Sequence, residues 1–97
     1  MIRSFKNAAT EDIYDGIASS LARKCCPQSL WSIAWRKLDQ INRVQDVSEL
    51  RIPPGNRLER LKGDRKGQYS IRINQQYRVC FRWEDGDAHE VEITDYH

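Results

Sequence analysis

Apolar and polar residues alternate in two stretches of the second half of the chain. Residues 69–74 read Tyr-Ser-Ile-Arg-Ile-Asn, and residues 77–83 read Tyr-Arg-Val-Cys-Phe-Arg-Trp. A period of two is typical of strands that bury one face. A three-residue loop over 74–76 would pair Ile71 with Val79 and gather the apolar side chains on one face. The pattern therefore predicts an antiparallel hairpin with this register.

The predicted register also places Arg72 directly opposite Arg78 on the other face. Like charges that face each other across a strand pair are destabilising. A further alternating stretch, residues 88–96, predicts a last strand with Glu92 and Tyr96 on the face of the two arginines. We therefore expect Glu92 to pair with one of these arginines, and we expect the face as a whole to be open and basic.

Helical spacing governs the first half of the chain. Residues 27–44 form the clearest predicted helix. Its wide apolar stripe comprises Leu30, Ile33, Ala34, Ile41 and Val44. Trp31 and Trp35 are four residues apart, so they could serve as a stacking platform for bases. On an apolar helix face, however, such a pair is more often part of the core, and we favour that interpretation.

Shorter elements are predicted at the amino-terminal end. A first helix is indicated over residues 7–17, with Thr10 as its cap and Gly16 at its end. Residues 19–26 are compatible with a loop or a further helical turn. Residues 1–5 form a short strand candidate.

These elements predict one α+β domain over residues 1–97. One or two amino-terminal helices would cover one face of a twisted, mainly antiparallel sheet of four to five strands. A short strand at 58–61 would join the sheet after a loop that contains Pro53, Pro54 and Gly55.

Charge is distributed unevenly along the chain. The net charge is only +2. Residues 51–82 nevertheless carry nine basic and two acidic side chains, whereas residues 83–97 carry six acidic ones and no Lys or Arg. A basic segment of this density is typical of a protein that binds a polyanion, although a solvated basic surface explains it equally well.

Several classes of protein are disfavoured by the sequence. No apolar run is long enough to cross a membrane, and residues 1–16 lack an apolar segment of the signal-peptide kind, so we expect a cytoplasmic protein. Cys25, Cys26 and Cys80 lack the spacing of a disulfide framework and are interpreted as reduced thiols. The only histidines, His89 and His97, lack metal-site spacing, and we predict neither a metal nor a cofactor.

The basic face suits RNA cleavage without a metal ion. Its predicted polar groups are Arg57, Lys62, Arg65, Lys66, Arg72, Arg78, Tyr96 and His97. A ribose 2′-hydroxyl can attack the adjacent phosphate if a base removes its proton and cations stabilise the developing charge. His97 has a reference pKa of about 6.5, whereas Tyr96, at about 10, would need nearby cations to act as a base. Alternatively, Tyr96 only packs and His97 frays at the chain end.

Three parts of the sequence resemble the HigB toxins of the RelE superfamily. They are the opening "MI-SF", the middle "PPGNRLE-LKG-R-G-YSIR-N-Q-R-CF" and the terminal "DYH". The resemblance covers essentially the whole chain and implies a RelE-like fold. It also implies a ribosome-dependent endoribonuclease that cuts mRNA in the ribosomal A site. The implied partner is a helix-turn-helix antitoxin of the HigA type. The toxin would be linked to operator DNA only through this antitoxin.

The resemblance also assigns roles to residues. The basic catalytic positions of the family match Lys62 of "LKG" and Arg78 of "YRV", and its terminal catalytic triplet matches Asp95, Tyr96 and His97. We assign RNA binding to Arg57, Arg60, Arg65, Lys66 and Arg72.

One departure from the family concerns Glu59. Some HigB proteins have a histidine three residues before the lysine, where this chain has Glu59. The carboxylate could replace that histidine or pair with a neighbouring arginine. Two further interpretations stay open: a ParE-like poison of gyrase with the same fold, and an RNA-binding module without catalysis.

Overall fold

The computed structural model describes residues 1–95 as three α-helices and a four-stranded sheet. The helices are α1 (Ala8–Asp15), α2 (Ser20–Cys25) and α3 (Trp31–Arg43), and the strands are β1 (Glu59–Arg60), β2 (Gln68–Arg72), β3 (Tyr77–Glu84) and β4 (Asp87–Asp95). The strands pair antiparallel in chain order. The predicted α+β class is confirmed. Helix α2 lies within residues 19–26, which the sequence left open between a loop and a helical turn. The strand expected at 58–61 is reduced to the two residues of β1.

The hairpin between β2 and β3 has the predicted register. Ile71 pairs with Val79. The three-residue loop is held by Asn74, whose side-chain oxygen accepts hydrogen bonds from the backbone N–H groups of Gln76 at 2.9 Å and Tyr77 at 2.7 Å. A short amide side chain that bonds to the backbone two and three residues on is a common way to fix such a turn.

The hairpin between β3 and β4 contains two departures from regular geometry. Asp85 and Gly86 form its two-residue turn with φ of 54° and 80°, as a primed turn requires. Further along, Glu90 and Val91 together lie opposite one residue of β3, and Glu90 has φ of 52°. This β-bulge adds a residue to β4 and leaves Val91 and Ile93 buried in the core.

Helix α3 covers one face of the sheet, called here the core face. Its buried side chains Ala34, Leu38 and Ile41 pack into the same cluster as the apolar residues of the strands. Trp31 packs against this cluster, but Trp35 is 41% exposed. The Trp35 ring stacks on Tyr14 at 6.1 Å and donates its Nε1–H to the Tyr14 carbonyl. The expectation of a core position is therefore wrong for Trp35, because the side chain packs across α1 instead.

The outer edge of β4 is covered by the amino-terminal segment. Ile2 and Phe5 form isolated parallel bridges to β4, in place of the continuous strand predicted over residues 1–5. Beyond them, the Thr10 hydroxyl accepts a hydrogen bond from the Ile93 N–H at 3.0 Å. The prediction of Thr10 as the cap of α1 is wrong. Asn7 fills that role by accepting a hydrogen bond from the Thr10 N–H. Covering an edge strand in this way prevents it from pairing with other chains.

No helix within residues 1–95 is long and apolar enough to cross a membrane. The three cysteines are free thiols, as predicted.

Candidate functional site

The sheet face that points away from α3 is polar but is not open. This polar face carries, at its centre, Ser70 of β2 with Arg78 and Cys80 of β3. Ser70 and Cys80 are fully buried, and Arg78 is only 7% exposed. Burial raises the pKa of the Cys80 thiol, which is therefore protonated at neutral pH. The prediction of an open face is wrong for its centre.

A loop that follows α3 covers this face. Leu61 continues beyond β1, donates its N–H to the Gln68 carbonyl at 2.9 Å and is 7% exposed. Arg65 reaches over the sheet, and its guanidinium contacts Glu92 Oε1 at 2.9 Å and Gln68 Oε1 at 3.2 Å. Lys6 lies 3.6 Å from the same Glu92 carboxylate. Alternation along strands could not reveal this covering layer, because the residues that form it lie outside the regular strands.

Arg78 is held from several sides. Its Nε–H donates to Ser70 Oγ at 2.9 Å, and one terminal nitrogen donates to the Arg57 carbonyl at 2.7 Å. The other terminal nitrogen lies 3.7 Å from the Glu59 carboxylate. Glu59 is thus placed as an ion-pair partner of Arg78, one of the two roles that sequence left open for it. The Arg78 guanidinium is therefore a positive charge held in a fixed position at the centre of the polar face.

Arg72 does lie directly opposite Arg78, as the register predicts. Glu92 relieves neither of them: its carboxylate pairs with Arg65 and Lys6, so that expectation is wrong. Arg72 instead reaches forward to the turn that follows its strand and donates to the Asn74 carbonyl at 3.1 Å. The two guanidinium groups are therefore each fixed by separate acceptors.

The loop is anchored to α3 by a buried asparagine that the sequence reasoning missed. The Asn56 side chain accepts a hydrogen bond from Lys37 and donates to Gln40 and to the Leu50 carbonyl. Burial lowers the pKa of this lysine. The next residue, Arg57, has φ of 46°, and its carbonyl accepts from Arg78 as described. In the sequence, the position of Asn56 directly after Pro-Pro-Gly indicates a turn that this polar side chain could fix.

Three cations on this loop form what is called here the cationic rim: Arg57, Lys62 and Lys66. All three are exposed, and their side chains contact no polar partner in the part of the chain that the structure describes. Charges without a local partner are available to a bound anion. The rim lies on the same loop as the Arg57 carbonyl, which accepts the hydrogen bond from the Arg78 guanidinium.

Arg60 is not part of this arrangement. In β1, Glu59 pairs with Ser70 and Arg60 pairs with Tyr69, so their side chains lie on opposite faces. The Arg60 guanidinium donates to the Tyr69 hydroxyl at 3.2 Å and lies 5.7 Å from the centre of its ring. The structure thus brings the Arg57 carbonyl to Arg78 and Arg65 to Glu92, and it places Arg60 on the side of the helices.

Asp95 ends the described part of β4. Its carboxylate accepts a hydrogen bond from the Gln76 side chain at 3.1 Å, and its partner across the sheet is Tyr77, which faces the core. Burial, followed by the charge of Asp95, raises the pKa of Tyr77. The other two members of the predicted triplet, Tyr96 and His97, lie outside the described residues.

Within residues 1–95, no group of three or more His, Cys, Asp or Glu side chains is arranged to hold a metal ion.

Comparison with known proteins gives the family. Residues 3–97 match the family model described as the RelE-like toxin of type II toxin–antitoxin system HigB. Toxin HigB-1 of Vibrio cholerae is 42% identical over 88 residues, which cover 91% of this chain and 90% of that protein. Endoribonuclease HigB of Proteus vulgaris is 32% identical over the full length of both chains.

Solved structures support the same fold. The YoeB–YefM complex from Staphylococcus aureus contains a chain that matches all of this one, with a TM-score of 0.54, 15% identity and 98% of that chain covered. At this identity the match shows only the fold, which is RelE-like. Together with the family model, it leads to one conclusion: the chain belongs to the HigB-like toxins of type II toxin–antitoxin systems.

Proposed function

We propose that this protein is an endoribonuclease that cuts mRNA in the A site of the translating ribosome and so inhibits translation. The observation that carries the proposal is a loop that bears the exposed cations Arg57, Lys62 and Lys66 and that contacts the buried Arg78 guanidinium through the Arg57 carbonyl. Exposed cations without a local partner, on a loop that also contacts a guanidinium held by hydrogen bonds, suit the binding of a phosphodiester and the stabilisation of charge that develops on it. The Proteus vulgaris relative, which is named as an endoribonuclease, supports the same reaction.

The proposed reaction uses the RNA's own 2′-hydroxyl. Its oxygen forms a bond to the adjacent phosphorus, and the bond to the 5′-oxygen of the next nucleotide breaks, which leaves a 2′,3′-cyclic phosphate and a 5′-hydroxyl. Lys62 and Arg78 stabilise the additional negative charge on the phosphorane oxygens. We assign the proton transfers at the 2′- and 5′-oxygens to Tyr96 and His97, which together with Asp95 match the terminal catalytic triplet of the family.

The proposal includes partners. A HigA-type helix-turn-helix antitoxin would neutralise the toxin and would be its only link to operator DNA. The Staphylococcus aureus structure, which is a complex of YoeB with YefM, supports an antitoxin partner for this fold. Since translating ribosomes are cytoplasmic, the protein would act in the cytoplasm.

Primer extension on mRNA from a translating extract tests the reaction. We expect discrete cuts within translated frames, and no cuts when translation is blocked. The variants Lys62→Ala, Tyr96→Phe and His97→Ala should each reduce cleavage about a hundredfold or more, in the range for lost acid–base or charge stabilisation. Lys24→Ala is the matched control, because Lys24 is an exposed lysine on α2.

Other results would favour the other interpretations. Intact mRNA with DNA breaks that depend on gyrase would support a ParE-like poison. Intact mRNA with RNA binding that survives the three variants would support a binding module. Cuts that persist in an extract without ribosomes would contradict ribosome dependence alone.

A further inference from the structure

A second cationic feature lies on the side of β1 that carries Arg60. It is a cavity of about 710 Å³ between the short 3₁₀ turn Val47–Arg51 and the edge of the sheet. The cavity is lined by Val47, Ser48, Arg51, Leu58, Arg60 and Tyr69. Its size falls within the range of small-molecule and nucleotide sites, roughly 300–1,000 Å³. None of its lining residues has a part in the proton transfers proposed above.

One wall of the cavity is an arginine held in place by aromatic rings. The Arg60 guanidinium lies over the Tyr69 ring, and the ring stacks in turn on Phe81, with 6.2 Å between ring centres and 25° between the planes. Phe81 is fully buried in the core. The hydrogen bond from Arg60 to the Tyr69 hydroxyl fixes the guanidinium further. An arginine whose position is fixed in advance loses less conformational freedom when it binds an anion.

The other cation of the cavity lacks a local counter-charge. Arg51 is exposed and contacts no polar partner among residues 1–95. The nearby carboxylates of Asp46 and Glu49 are occupied by backbone N–H groups, in a capping box at the start of the 3₁₀ turn. Neither carboxylate lines the cavity. Two arginines therefore face a space in which no acid neutralises them.

We propose that this cavity binds one nucleotide of an RNA strand. The phosphate would be held by Arg51 and Arg60, and the base would lie against the guanidinium plane of Arg60 and the apolar side chains of Val47 and Leu58. Unstacked bases commonly stack on arginine planes and aromatic groups in single-stranded RNA recognition. An acidic peptide would match the charges, but it would leave the planar and apolar surfaces unused. The RNA would come from mRNA or from the ribosome, an assignment that rests on the proposed function.

Binding to an RNA that cannot be cleaved separates this proposal from the nuclease. A fluorescent 2′-O-methyl oligonucleotide lacks the attacking hydroxyl, so its affinity is independent of catalysis. We expect Arg51→Ala and Arg60→Ala each to weaken binding about tenfold. The slope of log affinity against log salt should fall by roughly 0.7 for each lost phosphate contact. Arg51→Glu should weaken binding more than Arg51→Ala. Arg23→Ala is the matched control, an exposed arginine on α2 that should bind as the parent does.

Crosslinking locates the base. With 4-thiouridine in the same oligonucleotide, we expect an adduct on the tryptic peptide 67–72, which contains Tyr69. Unchanged affinity in the Arg51 and Arg60 variants, or adducts confined to other peptides, would overturn the proposal. So would an acidic peptide whose binding depends on both arginines while RNA binding does not. Circular dichroism of each variant confirms that any loss of affinity does not reflect unfolding.

The source of the RNA is tested on the ribosome. One complex would carry 4-thiouridine only in the mRNA, and a second only in the ribosomal RNA. An adduct on peptide 67–72 in the first complex assigns the cavity to mRNA, and an adduct in the second assigns it to ribosomal RNA. Adducts in neither complex would contradict a role on the ribosome. Loss of mRNA cleavage in Lys62→Ala, with oligonucleotide binding at the cavity retained, would show that the two sites act separately.

Discussion

The two faces of the sheet are both buried at their centres, but by different means. On the core face, α3 covers side chains such as Phe81 and Val79, which are fully buried and apolar. On the polar face, Ser70 and Arg78 are buried, a loop contacts Arg78 through the Arg57 carbonyl, and Arg65 bonds to Glu92. Burial of the first face follows from the hydrophobic effect. Burial of the second depends on hydrogen bonds that must satisfy each polar group removed from water.

The contrast extends to the two basic positions carried over from the HigB resemblance. Arg78 is buried and donates to Ser70 and to the Arg57 carbonyl, whereas Lys62 is exposed on the cationic rim. A buried arginine that joins a loop to a sheet supports the fold as well as any chemistry. An exposed lysine without a local partner is available for the ligand. Substitutions at the two positions should therefore affect stability and cleavage differently.

The largest loss of stability is expected on the core face. Phe81→Ala removes a ring that is 0% exposed and should lower the free energy of unfolding by about 3–5 kcal/mol. Urea unfolding followed by far-UV circular dichroism measures the change. Ile52→Ala is the control: this side chain is 73% exposed, so its removal should cost no more than about 0.5 kcal/mol. Equal effects of the two substitutions would contradict the placement of the core.

The second prediction compares the two basic residues directly. Arg78→Ala leaves the Ser70 hydroxyl and the Arg57 carbonyl without their donor and should cost about 2–3 kcal/mol. Lys62→Ala removes an exposed side chain and should change stability by no more than about 0.5 kcal/mol. The urea midpoints of both variants test this difference.

Cleavage measured on the same two variants sharpens the comparison. We expect both to lose activity, but only Arg78→Ala to lose stability. An unfolding curve for Arg78→Ala that matches the parent would show that the hydrogen bonds around the guanidinium contribute little. In that case the loss of cleavage in this variant would report on chemistry alone.

The sequence predicts those features of the two faces that depend on neighbouring residues, and it does not predict those that depend on contacts between distant parts of the chain. Alternation is a local property, so the pairing of Ile71 with Val79 and the burial of the apolar strand residues could be predicted. The partner of Glu92 could not, because Arg65 is 27 residues away and arrives through an irregular loop. For the same reason, strand parity alone did not show that Arg60 and Arg78 lie on opposite faces of the sheet. The short strand β1 had no alternating pattern to set its faces.

The third prediction concerns the outer edge of β4. Thr10 closes the outer side of β4 by accepting the Ile93 N–H within the protein interior. Thr10→Val keeps the shape of the side chain but removes the acceptor, and should cost about 1–3 kcal/mol. Hydrogen exchange at the Ile93 amide should become faster than in the parent. Thr10→Ser keeps the hydroxyl and serves as the control: if exchange accelerates equally in both, the hydroxyl does not protect this edge.

The smallest effect on stability is expected for the side chain that covers the polar face. Arg65 is partly exposed where it pairs with Glu92, so Arg65→Ala should cost at most about 1 kcal/mol. Its removal should instead uncover Cys80, which pairs with Glu92 across the sheet and is fully buried in the parent.

The rate at which a thiol reagent labels Cys80 is therefore the decisive measurement, with mass spectrometry separating its peptide from that of Cys25 and Cys26. Lys66→Ala removes a neighbouring cation of the rim that makes no such contact, and should leave the labelling of Cys80 unchanged. Faster labelling only in Arg65→Ala would establish that this arginine shields the polar face. Equal labelling in the parent and both variants would mean that the Arg65 side chain is not needed to cover Cys80.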